Sequence, residues 1–187
     1  EILRSGALGK AVEAHVWVNS PNAREYFNLD RAVGEPKPAP ANLEWDLWLG
    51  PCEKAEYRDG IAPVVWRSLW DYGSNGLGDW GLHVLDVIFY GYDELVSPIA
   101  VQTHCEASPN PLFHSHPCHS TITYAVGSEK FARKQFAIYY SDSSQAPSRA
   151  ALGLPPGKYP DTNMTVVVCE GGVLCLTAEG RLEIWRD

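Results

Sequence analysis

The sequence is short of methionine and of positive charge, and it has no long apolar run. Its 187 residues hold one Met, at position 164, and do not begin with one, which points to a fragment or a processed chain. No stretch reaches the roughly 18 to 20 apolar residues that a membrane helix needs, and the opening Glu1-Ile2-Leu3-Arg4 has no signal-peptide hydrophobic region. A soluble bacterial protein, cytoplasmic or exported, is expected. With 15 basic against 23 acidic side chains the formal net charge is −8, so there is no excess cation to replace the counterions of nucleic acid or of an anionic bilayer. A small neutral ligand fits better. Five cysteines, at 52, 105, 118, 169 and 175, cannot all pair within one chain and none forms a C-x-x-C, so free thiols are expected rather than a disulfide framework or a ribbon-type zinc site. Gly76-Leu77-Gly78-Asp79-Trp80-Gly81 has Gly-x-Gly-x-x-Gly spacing but follows the Gly73-Ser74-Asn75-Gly76 turn rather than a strand, so the phosphate cradle of a dinucleotide fold is not expected in these residues.

With 45% apolar residues the chain can bury a sizeable core. Ile2-Leu3-Arg4 reads as a helix end, and Ala11–Val18 as a first strand after a Gly-x-x-Gly turn. The Pro- and Gly-rich stretch from Gly34 to Pro40 reads as an extended loop. From about Leu77 to Tyr90, apolar residues recur at helical spacing (Leu77, Trp80, Val84, Ile88), with Gly91 as a candidate C-cap. Period two then takes over, and strands are expected near 98–106, 119–126, 131–140, 164–169, 172–177 and 181–185. Glu170-Gly171-Gly172 and Ala178-Glu179-Gly180 are hairpin signals, which make their neighbouring strands antiparallel. Residues 141–160 read as a long loop. The sum is an α+β fold, a largely antiparallel sheet with helices on one face. A one-sided helical layer leaves another sheet face to cover, so a homo-oligomer contact through strands near 131–140 and 164–177 is expected.

Chemistry concentrates around the helical segment. Asp79 and His83 stand four apart, a spacing at which a carboxylate can orient an imidazole and favour its protonated form, as a general base requires. The same spacing also serves as a mere surface contact on a helix. Five tryptophans (Trp45, Trp48, Trp66, Trp70, Trp80) fall within 36 positions. An indole face offers a plane to a sugar ring, and buried aromatic area is the other common use; core packing is the preferred reading for most of them.

The runs Trp45-Asp46-Leu47-Trp48-Leu49-Gly50-Pro51, Trp70-Asp71-Tyr72-Gly73 and Gly78-Asp79-Trp80-Gly81, with His83 and Asp86, closely resemble the Gfo/Idh/MocA oxidoreductases. Leu3-Arg4-Ser5-Gly6-Ala7-Leu8-Gly9-Lys10 resembles that family's join between its two domains. The likeness is strongest from residue 1 to about 90. It implies that residues 1–187 form a single C-terminal substrate-binding and oligomerisation domain, with 1–9 the end of the inter-domain helix and the N-terminal Rossmann domain absent. It implies hydride transfer between a sugar or cyclitol hydroxyl carbon and NAD or NADP bound by the full-length protein. His83 would take the hydroxyl proton with Asp79 as its partner, while Asp71, Tyr72, Trp45 and Trp66 are candidate substrate contacts. The family's catalytic lysine belongs to the missing domain; Glu35-Pro36-Lys37-Pro38 follows no nucleotide-binding unit and is not its motif. The chain alone is expected to hold no cofactor and to be inactive. The alternatives are a redox-assisted glycoside hydrolase or lyase, and a non-catalytic sugar-binding or assembly module, which would have no need of the Asp-x-x-x-His pair.

His114-Ser115-His116-Pro117-Cys118-His119 is the other cluster, near His104 and Cys105. In an extended segment His114, His116 and Cys118 project to one side and offer zinc or copper ligands. Prolines at 109, 111 and 117 mark it as an inter-strand loop without a second ligand pair, and no metal is expected. His15, in a strand, reads as a packed or hydrogen-bonded histidine.

Overall fold

The computed structural model describes residues 1–18, 33–63, 65–114, 118–142, 146–157 and 163–186. Its centre is the strand nearest the start of the sequence. β1 (Ala11–Val18) lies between β6 (Gln135–Ser141), to which it is parallel, and β7 (Asn163–Cys169), to which it is antiparallel. β4 (Ala100–Cys105) and β5 (Cys118–Ala125) extend the sheet beyond β6, and β8 (Gly172–Thr177) and β9 (Leu182–Trp185) extend it beyond β7. The order is β4-β5-β6-β1-β7-β8-β9, and every neighbouring pair except β1 with β6 is antiparallel. The sheet is thus largely antiparallel, in an α+β fold, and the two hairpins marked by glycines join β7 to β8 and β8 to β9.

Strand alternation sorts side chains onto two faces. Ala14, Val16 and Val18 of β1, with Phe136, Ile138 and Tyr140 of β6 and Val167 of β7, meet Val84 and Ile88 of a helix spanning Gly81–Gly91. Leu3, from the short helix α1 (Ile2–Ser5), closes this core against Gly91, where a Cβ would stand 3.0 Å from the leucine Cδ1. On the opposite face Trp17, Met164, Val166, Val173 and Cys175 pack beneath Leu152 and Leu154. The apolar outward residues of β7 and β8 are therefore covered by this chain's own 150–154 segment, while the outward residues of β6 include the exposed Gln135 and Tyr139.

Four local expectations are corrected. Two residues of the Gly34–Pro40 stretch do pair, since β2 (Pro36–Lys37) lies antiparallel to β3 (Tyr57–Arg58). The single helix expected from 77 to 90 is two, α3 (Asn75–Asp79) and α4 (Gly81–Gly91), broken at Trp80. Glycines at 76, 78 and 81 weaken helical propensity at the break, and the His83 N–H bonds only three residues back, to the Trp80 carbonyl. Gly91 is helical, and Tyr92 is the cap. Finally, Cys105 and Cys118 are not free thiols but form a disulfide, because the β4–β5 register sets them directly opposite. Cys52, Cys169 and Cys175 are free. No helix of the described residues is long and apolar enough to cross a membrane.

Candidate active site

Residues between β1 and β4, with Phe113 from beyond β4, build a third, smaller core. Ile61, Val65, Leu69 and Phe113 are buried, and Trp45, Trp48, Trp66 and Tyr72 pack around them. Two of these come from α2 (Trp45–Leu49), where spacing by three stacks Trp45 on Trp48 at 4.6 Å and 11°. Trp45 meets Tyr57 edge-on and donates its indole N–H to the Ala55 carbonyl at 2.7 Å. Trp48 meets Tyr72 edge-on at 5.2 Å. Both indoles are thus committed to packing, although neither is fully buried. Burial raises the Tyr72 phenol above its ordinary range, and the adjacent Asp71 charge raises it further. Asp71 itself is exposed, and its backbone carbonyl accepts the Cys52 thiol.

A 3₁₀ turn at Val65–Ser68 carries Trp66 and presents Arg67 toward α3. The Arg67 guanidinium lies 4.7 Å over the Trp66 ring, and its Nε donates to Asp79 Oδ2 at 3.1 Å. Both members of this ion pair keep about a third of their side-chain surface in water, 29% and 34%. Asp79 ends α3 and His83 lies in the first turn of α4, so the break at Trp80 stands between them. The partner of Asp79 is Arg67 rather than His83. The imidazole of His83 is exposed beside Trp80, with ring centroids 5.2 Å apart. The sequence reading missed Arg67, because a contact between a 3₁₀ turn and a helix twelve residues later leaves no periodic signature.

The support beneath this rim comes from the histidine-rich stretch. Phe113 forms an antiparallel bridge with Leu69, the Trp70 N–H bonds to the Leu112 carbonyl, and the His114 N–H bonds to the Ser68 carbonyl. The His114 ring sits 3.7 Å from that of Trp70 and places Nε2 2.9 Å from the Gly73 carbonyl. Position 73 admits no side chain, since a Cβ there would lie 2.2 Å from the Arg67 carbonyl oxygen. Asn75 begins α3 at φ 55°, and a Cβ on Gly76 would stand 3.2 Å from Asp142 Cβ and 3.4 Å from the Tyr140 hydroxyl, so this helix seats directly on the sheet. His114 therefore holds the 68–73 segment, and the Cys118 sulfur is bound to Cys105. His116 lies outside the described residues, among which no three His, Cys, Asp or Glu side chains gather as metal ligands.

Residues 1–129 match the family model described as the C-terminal alpha/beta domain of an oxidoreductase family, GFO_IDH_MocA_C2. Among solved structures, an oxidoreductase from Agrobacterium radiobacter in complex with NAD+, L-tartaric acid and magnesium aligns with 98% of this chain at 12% identity and a TM-score of 0.44. A candidate dehydrogenase from Bordetella bronchiseptica RB50 aligns with 100% of it at 12% identity and a TM-score of 0.47. This chain spans 37% of the first protein and 48% of the second. The comparison with curated proteins gives no match.

Proposed function

Because the chain belongs to the Gfo/Idh/MocA oxidoreductase family, as a C-terminal alpha/beta domain, we propose that it forms the substrate side of an NAD(P)-dependent dehydrogenase acting on a sugar or cyclitol hydroxyl. The observation that carries this reading is the exposed imidazole of His83 at the start of α4, on the same short stretch as the anchored carboxylate of Asp79. Bound nicotinamide supplies the hydride acceptor, and it would be held by a nucleotide-binding domain, since the Gly-x-Gly-x-x-Gly run here, Gly76–Gly81, spans the break between α3 and α4 and follows no strand. His83 takes the proton of the substrate hydroxyl as the carbinol carbon gives up its hydride and the C=O bond forms. Arg67 occupies Oδ2 of Asp79, which leaves Oδ1 as an acceptor that can fix a neighbouring substrate hydroxyl. Trp66 lies beneath the Arg67 guanidinium beside this ion pair, and Asp71, Tyr72 and Trp45 are the further candidate substrate contacts, with Asp71 the most accessible of the four.

In a protein that joins this chain to its nucleotide-binding domain, His83→Ala should keep the fold and the nucleotide affinity while lowering hydride transfer by roughly 10² to 10⁴. Asp79→Asn should lose less. A folded His83→Ala protein with unchanged turnover would remove the assigned role. Product analysis separates a stable oxidised sugar from the cleaved glycoside that a redox-assisted hydrolase would release. Titration of the isolated 187-residue chain with NAD and NADP should show no binding, and saturable binding would refute the division of labour.

A further inference from the structure

Cys105 ends β4 and Cys118 begins β5, so the bond between them joins the two strands where the histidine-rich stretch leaves and re-enters the sheet. Among the described residues β4 has only β5 beside it, Ala100 to His104 are exposed, and both cysteines are half-buried. A small reductant can reach such a bond. Two arms lead away from it. From Cys105 the chain passes through residues 106–114 to the 68–73 segment, where the Trp70 N–H meets the Leu112 carbonyl at 3.0 Å, the His114 N–H meets the Ser68 carbonyl at 2.9 Å, and Phe113 bridges Leu69. From Cys118 the second arm is shorter. The Cys118 N–H donates to Asp142 Oδ1 at 2.5 Å and its carbonyl accepts the Asp142 N–H at 3.1 Å, while the buried Asp142 lies directly under Gly76 of α3.

The arms end on the supports of the two partners of one ion pair. The first braces the segment next to Arg67, whose carbonyl packs on Gly73, and the second seats the helix that ends in Asp79. A pair as solvated as this one is too weak to hold its own geometry, so its separation follows from the backbones behind it. Phe113, only 2% exposed, keeps the first arm in its core whether or not the sulfurs are joined. The bond therefore governs how tightly that arm is held rather than whether it is attached, because opening it frees a loop closed over a sequence separation of 13 and lets the end of an edge strand fray. We infer that the Cys105–Cys118 disulfide is a redox-controlled positioning element for the Arg67–Asp79 pair, tight when oxidised and loosened when reduced, in a sheet that stays folded in both states. The reductant is a dithiol. One of its thiolates attacks a cysteine sulfur, the S–S bond breaks as a mixed disulfide forms, and its second thiolate then closes the reductant's own disulfide, so that two electrons and two protons pass to the cysteines as two thiols. The device concerns geometry alone and does not depend on the hydride-transfer reading.

The test is NMR of this chain oxidised, reduced with dithiothreitol under native conditions and then reoxidised, reading amide hydrogen exchange and the Arg67 Nε–H resonance, with thiol counting to verify each state. Reduction should speed exchange of the Trp70 and His114 amides at least about tenfold, as local opening does. It should also move the Arg67 Nε–H signal toward that of a solvated arginine. The amides of Val16 and Val166, in the middle of β1 and β7, should keep their rates, and reoxidation should restore the rest. Cys105→Ser combined with Cys118→Ser should show the fast rates with or without dithiothreitol. Four results would overturn the inference: unchanged rates at Trp70 and His114 in a fully reduced chain; an Arg67 signal indifferent to reduction; equal acceleration at Val16 and Val166, which would make the bond a staple of the whole sheet; or a bond that dithiothreitol opens only after the chain has unfolded.

Discussion

The ion pair between Arg67 and Asp79 is a positional device more than a source of stability. Both side chains are about a third exposed, and a pair so solvated contributes about 0 to 1 kcal/mol. Arg67→Ala should therefore change the unfolding free energy by less than about 1 kcal/mol. Gly73→Ala forces a Cβ onto the Arg67 carbonyl and should cost about 1 to 3 kcal/mol, as overpacking does. Urea denaturation of the two variants decides the order. The thiols make a second residue-scale prediction. Unfolded without reductant, the chain should expose three titratable thiols, and with reductant five. In the native state at pH 8 only the half-buried Cys52 should react quickly, because burial chiefly pushes the Cys175 thiol up to about 11 and raises Cys169 as well. Burial likewise raises the phenols of Tyr92 and Tyr140. Groups whose folded values lie above their unfolded ones stabilise the fold fully below the unfolded value and lose that contribution as pH rises through the folded one. For Cys175 the window runs from 9.0 to about 11, so the thermal midpoint should hold to about pH 9 and fall above it. A midpoint indifferent to pH between those values would contradict the burial of these groups.

Among the elements, strands and hairpins were legible because their signals are local. The alternation of Val166, Val168 and their neighbours, and the glycines at 171, 172 and 180, specify β7, β8 and β9 within a residue or two. The break at Trp80 was hidden, because Leu77, Trp80, Val84 and Ile88 keep helical spacing across it and only the three glycines hint at weakness. The Cys105–Cys118 bridge and the pairing of Phe113 with Leu69 were hidden for another reason: they follow from which strands meet, and no spacing rule encodes that. The candidate site divides in the same way. Asp79 and His83 could be picked from a motif, whereas Arg67 and His114 reach it through contacts 12 and 41 residues distant in sequence. The short 3₁₀ helix at Ala150–Leu152, read as plain loop, supplies the lid over Met164, Val166 and Cys175. Leu152→Ala should cost about 2 to 5 kcal/mol, the usual range for emptying a buried leucine site. A chemical-denaturation difference under 1 kcal/mol would show that the segment is not seated there.

At the scale of the molecule, everything depends on β1. Ala14 alone faces Ile138 on one side and Val167 on the other, so the middle of the sheet joins the beginning of the sequence to its last third. A stop after Gly157 would remove β7, β8 and β9 and strip β1 of one whole flank. That shortened chain should lose its cooperative thermal transition, measured by circular dichroism, even though residues 1–129 that carry the family match would all be present. On a ribosome the same arrangement imposes a delay. β7 follows β1 by about 150 residues, roughly 8 to 30 s at ordinary rates of synthesis. Through that interval Trp17 waits without Leu154, Met164 and Val166, neighbours that bury it. The nascent chain is thus a natural client for chaperones, and its yield in a cell should respond to translation speed and holdase supply more than to the strength of any one contact in the finished protein.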